Sequence, residues 1–136
     1  MPYSCAGASL KLILALLALS CSLAHAETVD CHVNYGGETK VISATPTAAP
    51  YDAEPTAIGS LFLFRIVFQR TPPGLGAIKV YTYVDRDPPQ GVTLVHQADY
   101  LYPPLPSHGT YGFTGLQRVY EPLRDGELQY WCAWKK

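Results

Sequence analysis

Apolar and polar residues alternate along most of this chain with a period of two, the spacing of a half-buried β-strand. From Thr28 to Tyr35, Val29, Cys31, Val33 and Tyr35 take one face and Thr28, Asp30, His32 and Asn34 the other. Gly36-Gly37 follows, suited to the positive φ of a two-residue hairpin turn, and Glu38 to Ala44 returns with Ile42 opposite Cys31. Residues 45–57, rich in Pro, Ala and Thr, read as a loop. Leu61 to Phe68 is apolar on both faces, as befits a strand at the centre of a sheet or sandwich. Further strands are predicted over Ala77–Val84, Val92–Ala98, a stretch near 111–120 and Glu127–Trp134. Turns rich in Pro, Gly and Asp separate them, and the last strand sets Leu128, Tyr130, Cys132 and Trp134 on one face. About seven antiparallel strands with no amphipathic helix and no internal repeat predict one all-β domain. Its form is a β-sandwich, with a small β-barrel as the alternative.

The first 26 residues follow different rules. Lys11 precedes an unbroken apolar run, Leu12 to Leu19, and Ala24-His25-Ala26 closes the segment with small residues where signal peptidase reads them. We therefore expect a signal peptide over 1–26, cleavage before Glu27, and a single exported domain over 27–136, in the periplasm or outside the cell. The apolar run has eight residues, whereas a membrane-crossing helix needs about 20. No transmembrane anchor is expected in the mature chain. Ala18, Leu19 and Ser20 before Cys21 do not form a lipoprotein signal, so no lipid is expected on Cys21.

Removing that segment changes the cysteine count. Of four cysteines, Cys31 and Cys132 remain, near the two ends of the mature chain. Export delivers them to an oxidising compartment, where one disulfide is expected between them. No C-x-x-C spacing points to redox chemistry. The mature chain carries nine Lys and Arg, once Lys11 is set aside, against eleven Asp and Glu. A net charge near −2 with no basic cluster offers no footprint for nucleic acid or anionic lipid.

Asp125-Gly126 followed by Tyr130-Trp131-Cys132 resembles the immunoglobulin strand in which a Tyr stands two residues before the second Cys. The resemblance implies an immunoglobulin-like sandwich as an architecture. Because the other Cys lies about 100 residues upstream, the disulfide here is expected to pin the first strand to the last. Residues Val29 to Glu38 resemble the N-terminal Cys strand of small periplasmic lysozyme inhibitors, single-domain β-proteins with a disulfide. That resemblance implies, as an alternative function, inhibition of an enzyme.

Catalytic patterns are missing from the sequence. None of the mature serines, Ser43, Ser60 and Ser107, stands in G-x-S-x-G. Asp85 and Asp87, followed by Pro-Pro-x-Gly, read as a turn. No phosphate-cradling loop or dinucleotide fingerprint occurs. The mature histidines, His32, His96 and His108, fall in three separate elements, and no pair has ligand spacing, so a metal-handling role is only an alternative. No enzyme activity, cofactor or metal is expected.

Aromatic residues carry the functional expectation. Fifteen remain in the mature chain, nine of them Tyr. Tyr81 and Tyr83 share the strand face opposite Ile78, Val80 and Val84. Tyr100 and Tyr102 precede the Pro-rich loop that contains His108, and Tyr111 and Phe113 follow it. Arg65 interrupts an otherwise apolar strand; it needs either an acid such as Asp85 or Glu121, a sheet edge, or a role as a cation among aromatics. Tyr and Trp supply rigid amphipathic contact area, which concentrates at interfaces. The expected function is a non-enzymatic binding module for an unknown exported protein or a small ligand. Its candidate surface is Tyr81, Tyr83, Tyr102, His108, Tyr111, Phe113 and Arg65.

Overall fold

Each alternating segment becomes a strand, and the alternation decides which side chains meet. The computed structural model describes residues 25–105 and 109–136. Among these residues eight strands form: β1 (Thr28–Tyr35), β2 (Glu38–Ala44), β3 (Thr56–Ile58), β4 (Phe62–Gln69), β5 (Ala77–Asp85), β6 (Val92–Leu101), β7 (Gln117–Glu121) and β8 (Gly126–Lys135). They make two antiparallel four-stranded sheets, ordered β2-β1-β8-β7 and β3-β4-β5-β6. The first sheet contributes Val29, Cys31, Val33, Leu128, Tyr130 and Cys132 to the core; the second contributes Phe62, Phe64, Phe68, Ile78, Val80 and Val84. Packing two apolar faces in this way defines a β-sandwich. Among the described residues no helix is long and apolar enough to cross a membrane. Residues 1–24, with Lys11, Cys21 and Ala24 of the expected export segment, lie outside the described residues.

Cys31 and Cys132 face each other in the β1–β8 register, with Cα atoms 4.0 Å apart, and are disulfide-bonded. The first strand is thus pinned to the last inside one sheet. Ile42 stands opposite Cys31 on the other side of β1. Closing a loop with sequence separation 101 is worth about 4.7 kcal/mol in the chain-entropy treatment.

Charged residues tie the ends of the sandwich. Glu121, fully buried at the end of β7, meets Arg86 Nη2 at 2.6 Å, so the β5–β6 turn is held to the opposite sheet. Its carboxylate also accepts the backbone N–H groups of Arg124 and Leu123, at 2.8 and 3.0 Å. The Arg86 bond, then these backbone bonds, hold the carboxyl below its usual range against the opposing effect of burial. Asp30 receives Lys135 Nζ at 2.6 Å and Ser43 Oγ at 2.7 Å across β1, and its carboxyl is likewise lowered, chiefly by Lys135.

Three features depart from the sequence expectation. The loop over 45–57 ends in β3, a three-residue edge strand whose Thr56 pairs with Phe64 and Ile58 with Phe62. Three residues are too few for an alternation to show. The strand expected near 111–120 pairs only over Gln117–Glu121. Its first part is a 3-10 turn over Gly109–Tyr111 followed by Gly112 at φ +58°, whose backbone lies against Cys132. A Cβ there would meet the Cys132 carbonyl oxygen, so only glycine fits. Finally, β6 runs on to Leu101 and turns Tyr100 inward against Phe113.

Candidate functional site

The outer face of the β3-β4-β5-β6 sheet is built by the odd-numbered residues of β4 and β5. Arg65 on β4 stands directly opposite Tyr81 on β5, and Leu63 opposite Tyr83. Residues opposite each other on antiparallel strands share a face and touch. The Arg65 guanidinium carbon lies 4.4 Å from the Tyr81 ring centre and 5.6 Å from that of Tyr83, and the two rings are nearly parallel at 6.3 Å. A cation over a ring in such geometry gains about 0.5–2 kcal/mol, more as water is excluded. Arg65 is partly buried, and its Nε is covered, with no hydrogen-bond partner among the described residues. The acid partners considered for it are not engaged with it: Glu121 is taken by Arg86, and Asp85 forms no ion pair.

Two neighbouring elements enlarge this face. Thr47 N donates to Phe68 O at 2.8 Å, drawing the 45–57 segment alongside β4. A 3-10 turn over Pro50–Asp52 then packs on β4, with Pro50 fixing its first turn. Tyr51 projects from it, 93% exposed. Pro50, Tyr51, Arg65, Val67, Gln69, Lys79 and Tyr81 enclose a cleft of about 90 Å³. On the other side, the β5–β6 register shifts between Thr82 and Tyr83, so His96 pairs with Thr82 but Leu94 with Tyr83. This bulge at Val95 reverses the alternation and turns Leu94 and Val92 to the Tyr83 side, where both are exposed. Residue-by-residue reading of the sequence misses this, because a bulge is a pairing event and not a composition.

The other expected surface residues go elsewhere. Tyr102 packs its ring on Phe68 and Trp134, at 5.4 and 6.0 Å, and its hydroxyl donates to Glu27 Oε2 at 2.8 Å. Glu27, the expected first mature residue, also pairs with Arg70 at 3.6 Å, while Ala26 beside it is exposed. Phe113 packs edge-on against Tyr100 at 5.3 Å, and its N–H donates to Cys132 O. These two rings close the sandwich and do not join Tyr81 and Tyr83. Tyr111 is exposed, but on the opposite sheet, with its ring 6.3 Å from Trp131. His108 lies outside the described residues.

That opposite sheet has an aromatic feature of its own. His32 and Trp131, neighbours across β1–β8, stack at 4.0 Å and 4°. With Asn34, Thr39, Tyr111, Leu116 and Gln129 they border a shallow cleft of about 210 Å³. The signal for Trp131 was present in the sequence: it is out of phase with Tyr130 and Cys132 and so must point outward. Asn34 Nδ2 donates to Thr39 Oγ1 and Gln129 Nε2 to Glu127 Oε1, so both carboxamides are already in use within the fold.

Inside the core, the Tyr130 hydroxyl and His96 Nε2 are hydrogen-bonded at 2.8 Å. Burial raises the Tyr130 phenol above its ordinary range, with Tyr100 adding to the shift, and burial lowers the His96 imidazole. His32 and His96 are therefore on opposite sheets, each engaged with an aromatic ring. No group of three or more His, Cys, Asp and Glu able to hold a metal occurs among the described residues. Compared with protein-family models, curated proteins and solved structures, the chain matches none.

Proposed function

We propose that this chain is an exported, non-enzymatic binding module. It engages a protein partner through the outer face of the β3-β4-β5-β6 sheet. One observation carries the reading: Arg65 stacks with Tyr81 and Tyr83 on the solvent side of two strands whose other side is the core. The core does not use these rings, and hot spots at interfaces draw on these residue types, Tyr and Arg. Export is supported by the Cys31–Cys132 disulfide, which persists in oxidising compartments. Under this reading residues 1–26 are the cleaved signal and Glu27 begins the mature chain.

The immunoglobulin-like description applies to architecture. Two antiparallel sheets packed face to face support it, whereas the immunoglobulin pattern has a disulfide between sheets and here the bond lies within one. The likeness to lysozyme inhibitors falls on β1, whose Val29, Cys31 and Val33 are buried in the core, and so concerns folding more than inhibition.

The test is a photo-crosslinking residue placed at Tyr83 in cells, with a second placed at Trp131 on the other sheet as control. The position-83 probe should join one defined protein, identified by mass spectrometry, which the position-131 probe does not. Tyr81→Ala/Tyr83→Ala should reduce affinity for that protein at least tenfold while the fold persists. Equal crosslinking from both faces, or an unchanged affinity, would dismiss this surface.

A further inference from the structure

All eleven acidic residues of the chain lie within the described residues, so the ion pairing of the described arginines and lysines can be followed. Four of the five arginines pair with a carboxylate: Arg70 with Glu27, Arg86 with Glu121, Arg118 with Glu127 and Arg124 with Asp87. Arg65 is the exception. It is also the arginine fixed between aromatic rings, and its Nε is already stripped of water without a hydrogen bond in return. Lys79, two residues before Tyr81 on the same face, forms no ion pair either. Asp99 stands opposite Lys79 across β5–β6, but it accepts a hydrogen bond from Gln97 Nε2 instead. Arg65 and Lys79 border the same cleft of about 90 Å³, together with Gln69 and two tyrosines, and no acid borders it.

We infer that this cleft is a carboxylate-binding subsite, which receives an Asp or Glu side chain of the partner. The inference rests on the protein-docking reading given above and names the group recognised. A guanidinium held against two rings, with its Nε covered, is pre-organised to donate through its Nη atoms, and its planar fork matches a carboxylate better than a lysine ammonium does. The small volume suits one planar group; whole ligand sites run to about 300–1,000 Å³. Around the cleft, Tyr51, Tyr81 and Tyr83 offer aromatic contact to the residues flanking that acid. A carboxylate brings a full negative charge and two acceptor oxygens, whereas a carboxamide is neutral and brings one, so the subsite discriminates carboxylate from carboxamide.

The test uses the purified oxidised protein and three probes: the N-acetylated tripeptide amides Gly-Glu-Gly and Gly-Gln-Gly, and inorganic phosphate, each followed by amide chemical shifts. The Glu peptide should give saturable shifts centred on Arg65, Val67, Lys79 and Tyr81, weakening as salt is raised. The Gln peptide should bind at least tenfold more weakly. Arg65→Gln should abolish the Glu-peptide response, and Arg65→Lys, which keeps charge and stem, should weaken it severalfold. Equal binding of both peptides, no saturable response to the Glu peptide, or tighter binding of phosphate would each overturn the assignment. The two readings separate on the crosslinked partner. If Tyr81→Ala/Tyr83→Ala loses it while Arg65→Gln binds it undiminished, docking stands and the carboxylate subsite falls. If neither substitution matters, both fall.

Discussion

His96 shows how a single side chain couples the core to acidity. It sits half-buried on the inner face of β6, bonded to the fully buried Tyr130, and burial lowers its pKa from the ordinary 6.5. Above pH 6.5 neither the folded nor the unfolded chain holds that proton, and His96 leaves stability unchanged. As the pH falls through 6.5 the unfolded chain takes the proton and the folded one does not, so stability declines until the lowered folded value is reached. Urea unfolding between about pH 5 and 7.5 should therefore show a slope that His96→Gln flattens; parallel curves for the two proteins would remove His96 as its source. The lowered carboxyls of Asp30 and Glu121 add a separate loss at lower pH, below their ordinary 3.8 and 4.5. At this scale the sequence was legible where phase alone decides. Tyr81 and Tyr83 alternate with Val80 and Val84, and the alternation puts them outside. It was not legible for Tyr102 and Phe113, because a tyrosine or phenylalanine at the end of a strand can cap a sandwich as readily as it can face water.

Elements were legible in proportion to their length. β1, β2, β5 and β8 each have seven or more residues, enough for an alternation to be seen; β4 showed instead as a long apolar run, and the Gly36-Gly37 turn set the β1–β2 register correctly. The three residues of β3 and the β6 bulge were hidden, since both are specified by the strand alongside. The same holds for the stretch before β7, where the constraint is steric. Gly112 combines positive φ with a backbone that touches Cys132, so Gly112→Ala should destabilise the protein by about 2–4 kcal/mol through strain and overpacking together. Thermal or urea unfolding measures this directly. A change under about 0.5 kcal/mol would mean that the Gly112–Cys132 approach does not constrain the fold.

For the whole molecule, fold class was legible and strand order was not. Seven short strand-like segments between turns admit a sandwich; which strands become neighbours depends on how the two sheets close. The β1–β8 pairing was the exception, because two cysteines at opposite ends of the chain announce it. That bond makes the protein topologically a ring with a tail at each end. One cut anywhere between Cys31 and Cys132 opens the ring without releasing a fragment. A protease that cleaves beside the exposed Leu123 should yield a species that is one water heavier and still single on a non-reducing gel, but two pieces once reduced. Two pieces without reductant would mean that the ring was never closed. A chain of this kind survives isolated nicks in its loops with every strand still tethered, an advantage among the extracytoplasmic proteases that the proposed export would expose it to.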